Sequence, residues 1–163
     1  MIYIGIDPGA SGAIAVLDAG GQIVSIADMP TIMVRVGKTE RHRVSPAMLA
    51  HLFEMDQHAV QMVVLEKVGG MTGQSASAAF TFGYGAGIVE GVLAALKLPV
   101  ALVTPQSWKR SAGIATDKGA AREAAMRLWP AHASRFARVK DDGRAEAALI
   151  ARHGWLRVAR VAA

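Results

Sequence analysis

The chain has 163 residues, 52% of them apolar, and carries 18 Lys and Arg against 13 Asp and Glu, a net charge of +5 at neutral pH. That length suits one domain burying roughly 70% of the surface its unfolded chain exposes, and the apolar content excludes a disordered chain. The absence of cysteine excludes disulfides and thiolate metal sites and fits a reducing cytoplasm, while the positive balance favours a polyanionic partner or simply a soluble surface.

In chain order, residues 2–7, 12–18 and 22–28 are β-rich runs, the last two joined by the hairpin signal Asp18-Ala19-Gly20-Gly21. They predict three antiparallel strands. The first run has no basic segment before it and is broken by Asp7-Pro8, so it does not read as a signal peptide. Residues 29–44 read as a polar loop with a basic end, Arg35, Lys38, Arg41, His42 and Arg43, which is either solvated or a clamp on the polyanion that the charge balance favours. Ser45 as N-cap and Pro46 at the first position then open a helix whose stripe is Met48, Leu49, Leu52 and Phe53.

"AVQMVVLE" reads as a buried parallel strand ending in Glu66. A glycine-rich segment leads to a long helix starting near residues 75–77. Its apolar stretch, 78–98, contains Glu90 and several glycines, which predicts a soluble core or interface helix and not a membrane span. "PVALVTP" predicts another buried strand ending at Thr104. A short helix, "PQSWKRSAG", follows, with Trp108 as its buried anchor. A helix capped by Thr116 comes next, and then a final helix opened by Asp141-Asp142 and stopped by Gly154. His51 and His58 are expected on the surface and His153 at a helix end. The sum is one α/β domain over residues 1–163: a mixed five-stranded sheet, three antiparallel strands and then two parallel, flanked by helices.

Asp7 ends the first strand and Glu66 the fourth. On neighbouring parallel strands both acids emerge at the same sheet edge, where ligands of open α/β sheets gather. Asp142 and Glu146 are spaced i,i+4 and share one face of the last helix; Asp141 lies a step round and suits a cap. Four converging acids repel unless a cation joins them, and oxygen-only ligands suit Mg²⁺, with Mn²⁺ as a substitute. Each acid also has a plain reading: Asp7-Pro8-Gly9 as a strand-ending turn, Glu66 as an ion-pair partner, Asp141-Asp142 as a helix start. Lys67, Gln74 and Ser75 flank the expected site as phosphate contacts, and ordinary capping is the alternative for Ser75. Gly83, Gly87 and Gly91 recur along the long helix at roughly 1 kcal/mol each relative to alanine. Their stripe predicts close approach by a second subunit's helix or by the sheet beneath.

"YIGIDPGASGAIAVLD", "VVLEKV" and "DDGRAEAALIA", in this order and spacing, resemble the RuvC-type Holliday junction resolvases of the RNase H-like superfamily, over nearly the whole chain. "QSASAAFTFGYGAGIVEGVLAAL" is similar to that family's long dimer helix. The resemblance implies an RNase H-like fold and a homodimer that hydrolyses phosphodiesters of branched DNA, four-way junctions above all, using two metal ions. It implies Asp7, Glu66, Asp142 and Glu146 as catalytic metal ligands, and Lys109 and Lys118 as basic positions facing DNA. Two features depart from the family pattern. The last two acids are four apart with Glu146 in place of aspartate, and the segment usually holding an aromatic wedge is Val68-Gly69-Gly70-Met71. The competing readings are a flap or fork nuclease of relaxed specificity, a junction-binding module without catalysis, and half of an actin-like ATPase. The last needs a second domain for which the chain has no room.

Overall fold

A computed structural model describes residues 1–54, 59–69, 73–115, 117 and 119–161. Its main sheet runs β3-β2-β1-β6-β7, built from β1 (Ile2–Asp7), β2 (Ala13–Leu17), β3 (Ile23–Asp28), β6 (Val60–Glu66) and β7 (Val100–Val103). β1, β2 and β3 are antiparallel neighbours, whereas β6 lies parallel to β1 and β7 parallel to β6. This is the mixed five-stranded sheet that the sequence predicts. β4 (Thr31–Val36) and β5 (Thr39–Val44) form a separate hairpin. The helices are α1 (Pro46–Glu54), α2 (Ala76–Ala95), α3 (Pro105–Ala112), α4 (Ala120–Leu128) and α5 (Asp142–Val161), with 3₁₀ turns at Pro130–Phe136 and Val139–Asp141.

Strand alternation divides the core between the two sheet faces. Ile4 and Ile6 of β1, with Val63 and Leu65 of β6, pack with Leu49 and Phe53 of α1 and Val89 and Leu93 of α2. Tyr3 and Val64 face the other way, onto Trp108, Ala124 and the small-residue face of α5. Asp7 and Glu66 continue this second set by the same period of two, so both acids emerge on the α5 side. The approach there is very close: a Cβ on Gly5 would lie 2.2 Å from both Ala147 O and Ala151 N. Gly154 serves the same packing, since its Cβ would fall 2.3 Å from Val64 Cγ2. Gly154 is therefore not a stop; the helix runs on to Val161 because the glycine is spent on sheet contact.

Other expectations are corrected. Residues 29–44 are not a loop: β4 and β5 pair from Thr31↔Val44 to Val36↔Thr39 around a turn whose first residue, Gly37, has φ +64°. The run of β-branched and apolar residues Thr31, Ile32, Met33 and Val34 carried that strand signal beside the charges. β7 is an edge strand with Val100 and Leu102 exposed, and only Val103 is buried. In α1 the inner side is Leu49 and Phe53, while Met48 and Leu52 face solvent. α4 starts at Ala120 after Gly119, whose φ is +88°; Thr116 lies outside the described residues. His153 is buried within α5 and not at a helix end, while His51 is on the surface as expected; His58 lies outside the described residues. The Asp18 turn is as read, with Asp18 Oδ1 accepting from Gly20 N and Gln22 N at 2.8 and 2.9 Å.

Because backbone faces backbone at Gly5, no side-chain rearrangement can absorb a methyl group there. Gly5→Ala should destabilise the fold by about 3 kcal/mol, the upper end of overpacking costs. Urea denaturation measures it, and a loss below about 1 kcal/mol would show that α5 can shift freely on β1.

Candidate active site

Asp7 and Glu66 reach the same sheet edge because β1 and β6 are parallel neighbours, in register at Ile6↔Leu65 one rung earlier. Across the next strand Glu66 pairs with Val103. Asp7 sits in a cradle of glycines. A Cβ on Gly12 would lie 2.8 Å from Asp7 Cγ, and one on Gly143 would lie 3.2 Å from Asp7 Oδ2. The N-terminal end of α5 thus lies directly against the Asp7 carboxylate, and α5 brings Asp142 and Glu146 to the same edge.

The charges register this crowding. Burial first, then the charge of Glu66, pushes Asp7 up to about 6, against a lowering by the Gly9 N–H. Glu146 is pushed up to about 7, by burial first and then by Asp7, with Lys109 opposing and Glu66 and Asp142 adding to the rise. Glu66 therefore acts on Asp7, and Asp7, Glu66 and Asp142 all act on Glu146. Each has also taken a donor of its own. Gly9 N donates to Asp7 Oδ1 at 3.3 Å, and Trp108 Nε1 donates to Glu66 Oε1 at 2.7 Å. Lys109 Nζ stands 3.9 Å from Glu146 Oε1, and Arg122 Nε donates to Asp142 Oδ1 at 2.6 Å. Among the described residues no three acidic or histidine side chains close up into a ready metal-ligand group. The donor set itself suits a hard divalent cation: four carboxylates, no sulfur, a glycine cradle and two acids whose charge a cation would relieve.

Asp141 is a separate matter. Its side chain is 1% exposed and accepts from Arg138 N, Nε and Nη2 at 2.9, 3.1 and 2.9 Å, with Arg144 Nη1 3.4 Å away. Arg144 in turn clamps Asp28 through two contacts of 2.6 Å. Asp141 is thus the centre of an ion cluster tying the start of α5 to β3. Asp141 does not cap α5 as expected: its carboxylate accepts from the N–H of Arg138, the residue that caps the preceding 3₁₀ turn.

The flanking positions divide. Lys109 is in the site. Ser75 is an N-cap, accepting from Ala78 N at 3.2 Å; Lys67 is exposed just beyond β6 and Gln74 half-buried before α2. Lys118 and Met71 lie outside the described residues. Trp108 is wholly buried, as the sequence predicts, but its bond to Glu66 was not foreseen, nor was Arg122 on Asp142. No sequence signal marks these contacts, because each joins residues on separate helices or strands.

Two solved structures share this fold. RuvC of Thermus thermophilus in complex with Holliday junction substrate superposes with a TM-score of 0.63 at 13% identity, over 97% of this chain and 96% of that one. A second Thermus thermophilus RuvC structure gives 0.55 at 14% identity, over 98% and 97%. The chain therefore has the RuvC variant of the RNase H-like fold over nearly its full length. No protein-family model matches it, and no curated protein sequence matches it.

Two carboxylates of the last-helix region should respond oppositely to pH. The arginines hold Asp141 down at about 2, so its pairs stabilise the fold above the ordinary carboxylate range and cease to as pH falls through about 2. Glu146 is raised from 4.5 to about 7, so its ionisation removes stability as pH climbs through that window. Asp141→Asn should be less stable than wild type at neutral pH by roughly 2 kcal/mol, discounted because Arg138 is half exposed, with the gap closing in acid. Glu146→Gln should melt higher than wild type at about pH 8, with the gap closing toward about pH 4. Thermal melts across this range check both signs.

Proposed function

We propose that the chain is a divalent-cation-dependent endonuclease for branched DNA, four-way junctions foremost, with Asp7, Glu66, Asp142 and Glu146 holding two Mg²⁺ ions that Mn²⁺ can replace. The observation that carries this reading is the crowding of Asp7, Glu66 and Glu146 at one sheet edge, with Asp7 raised by burial and by Glu66, and Glu146 by burial and by Asp7. A fold that keeps such repulsion gains nothing from it unless a cation is meant to relieve it, and a polyanion binder without metal would be hindered by it. The fold is shared with a RuvC solved on Holliday junction substrate, which supports the choice of DNA branch as substrate.

Bound there, the ions would supply a nucleophilic water and stabilise the leaving oxygen of a phosphodiester. The chain's own groups hold the ligands. Trp108 and Arg122 fix Glu66 and Asp142, while Lys109 faces both the acids and the cleft that Asp142 and Glu146 line, a suitable place for a backbone phosphate. Lys67, Gln74 and Ser75 remain proposed DNA contacts, as does Lys118, which lies outside the described residues.

The homodimer belongs to the same proposal. Gly83, Gly87 and Gly91 have open space where a Cβ would point, so their stripe faces away from the sheet. Phe80 and Tyr84 lie on that outer face, exposed and stacked with ring centroids 6.1 Å apart. α2 is long and apolar enough to cross a membrane, with 22% of its apolar window buried. Its inner residues Val89 and Leu93 are locked into the sheet core, which favours a partner helix over a bilayer as the cover.

Labelled four-way junctions, flaps and forks incubated with and without Mg²⁺ test the activity. Asp7→Asn should keep the fold and junction binding but lower cleavage at least about 1,000-fold, since it removes a carboxylate from the metal set; cutting by a folded Asp7→Asn chain at near wild-type rate would refute the site. Gly87→Leu should leave the isolated subunit as stable or more so, glycine being a poor helix former by about 1 kcal/mol, yet shift sedimentation from dimer to monomer. An unchanged dimer would move the interface elsewhere.

A further inference from the structure

We propose that Trp108 is a positioning residue for Glu66: its indole N–H holds one oxygen of the carboxylate and so sets which oxygen is left for a ligand. The inference rests on the reading of Glu66 as a metal-site residue.

Trp108 is wholly buried, and its Nε1 lies 2.7 Å from Glu66 Oε1. An indole N–H only donates, so this bond cannot reverse its sense as a hydroxyl or amide could. The ring is also held from all sides, being part of the core that includes Val103, Ala124 and Leu149. A flexible glutamate is therefore tied to a rigid partner. The other two tryptophans use their indoles differently, donating to the backbone carbonyls of Gly21 and Ala19 at 3.0 Å each. Those close the turn after β2; Trp108 alone of the three is bonded to a carboxylate.

The geometry follows from strand register. Glu66 pairs with Val103, and the chain passes straight from Val103 into α3. Thr104 caps that helix, its Oγ1 accepting from Ser107 N at 3.3 Å and its carbonyl from Trp108 N at 3.3 Å. One ladder rung and one helical turn thus separate donor from acceptor. The next residue, Lys109, lies with Nζ 5.2 Å from the centroid of the Trp108 ring and 3.9 Å from Glu146 Oε1. One turn of α3 therefore grips two of the four acids. Partners of this kind, one bond removed from a metal, orient the ligand and commonly change metal affinity by roughly 10–100-fold when lost. A purely structural tryptophan, whose N–H merely needs an acceptor because it is buried, would affect folding alone.

The experiment replaces Trp108 site-specifically with benzothienylalanine, which keeps the ring shape but puts sulfur in place of N–H, and separately makes Trp108→Phe. Mg²⁺ binding to the full chain without DNA is measured by calorimetry, alongside the Mg²⁺ dependence of junction cleavage. Half-saturation should rise roughly 10-fold or more, with cleavage at saturating Mg²⁺ within a few-fold of wild type and melting of the benzothienyl form near wild type. In wild type the indole N–H resonance of Trp108, assigned by its loss in Trp108→Phe, should move on Mg²⁺ addition while those of Trp129 and Trp155 stay. Mg²⁺ affinity within twofold of wild type in the folded benzothienyl form, or an indole signal indifferent to Mg²⁺, overturns the inference. Glu66→Gln separates the two levels. If it loses Mg²⁺ binding while the Trp108 variants do not, only the positioning role falls; if it binds and cuts like wild type, the site assignment falls and the positioning role with it.

Discussion

Backbone lies against backbone where α5 crosses β1, and the rest of the site depends on that contact. Gly5 leaves no side chain between strand and helix, and Gly12 and Gly143 leave none around the Asp7 carboxylate. With the helix this near, acids on its first two turns are forced into the field of the acids on the strand ends. The small residues Ala145, Ala147, Ala148 and Ala151 continue the same tight seam. A larger residue at any backbone-to-backbone point would lift α5 and separate the carboxylates.

The protein meets the resulting repulsion with individual donors. A backbone N–H, an indole, an ammonium and a guanidinium each take one acid. Two of these come from consecutive residues of α3 and one from α4, so the helices covering that face of the sheet serve as electrostatic supports as well as core. Nearby, the Asp28–Arg144–Asp141–Arg138 cluster does the opposite task with similar residues. There charges alternate, the buried carboxylate is held low, and the start of α5 is fastened to β3. Adjacent residues Asp141 and Asp142 thus belong to different systems, one holding the helix in place and one facing the cleft.

The opposite face of the sheet carries an exposed apolar surface. α2 turns Val89 and Leu93 inward and leaves glycines and the Phe80–Tyr84 pair outward. Next to it the β4–β5 hairpin is anchored through Val44, which is buried in the core, and lays Arg43 over Tyr84 at 5.7 Å. Basic hairpin and apolar helix form one continuous surface beside the turn that follows Asp7.

Much of this was legible in residues alone. Apolar β-rich runs marked β1, β2, β3 and β6, and their last residues put Asp7 and Glu66 at one sheet edge; the i,i+4 spacing put Asp142 and Glu146 on one helix face. These are local properties, carried by backbone geometry within one element. The hairpin at residues 31–44 was hidden because both of its strands are largely exposed and β5 is mostly polar and charged, so no buried face marks it as a strand pair. Gly154 was misread because a glycine that ends a helix and a glycine that meets a sheet look alike until the sheet is in place. The Trp108–Glu66 and Arg122–Asp142 bonds required the tertiary structure. They join residues 42 and 20 positions apart in the chain, and what decides them is the seating of α3, α4 and α5 against the sheet. Local periodicity therefore determined which acids this protein presents, and packing between distant elements decided which donors hold Glu66, Asp142 and Glu146.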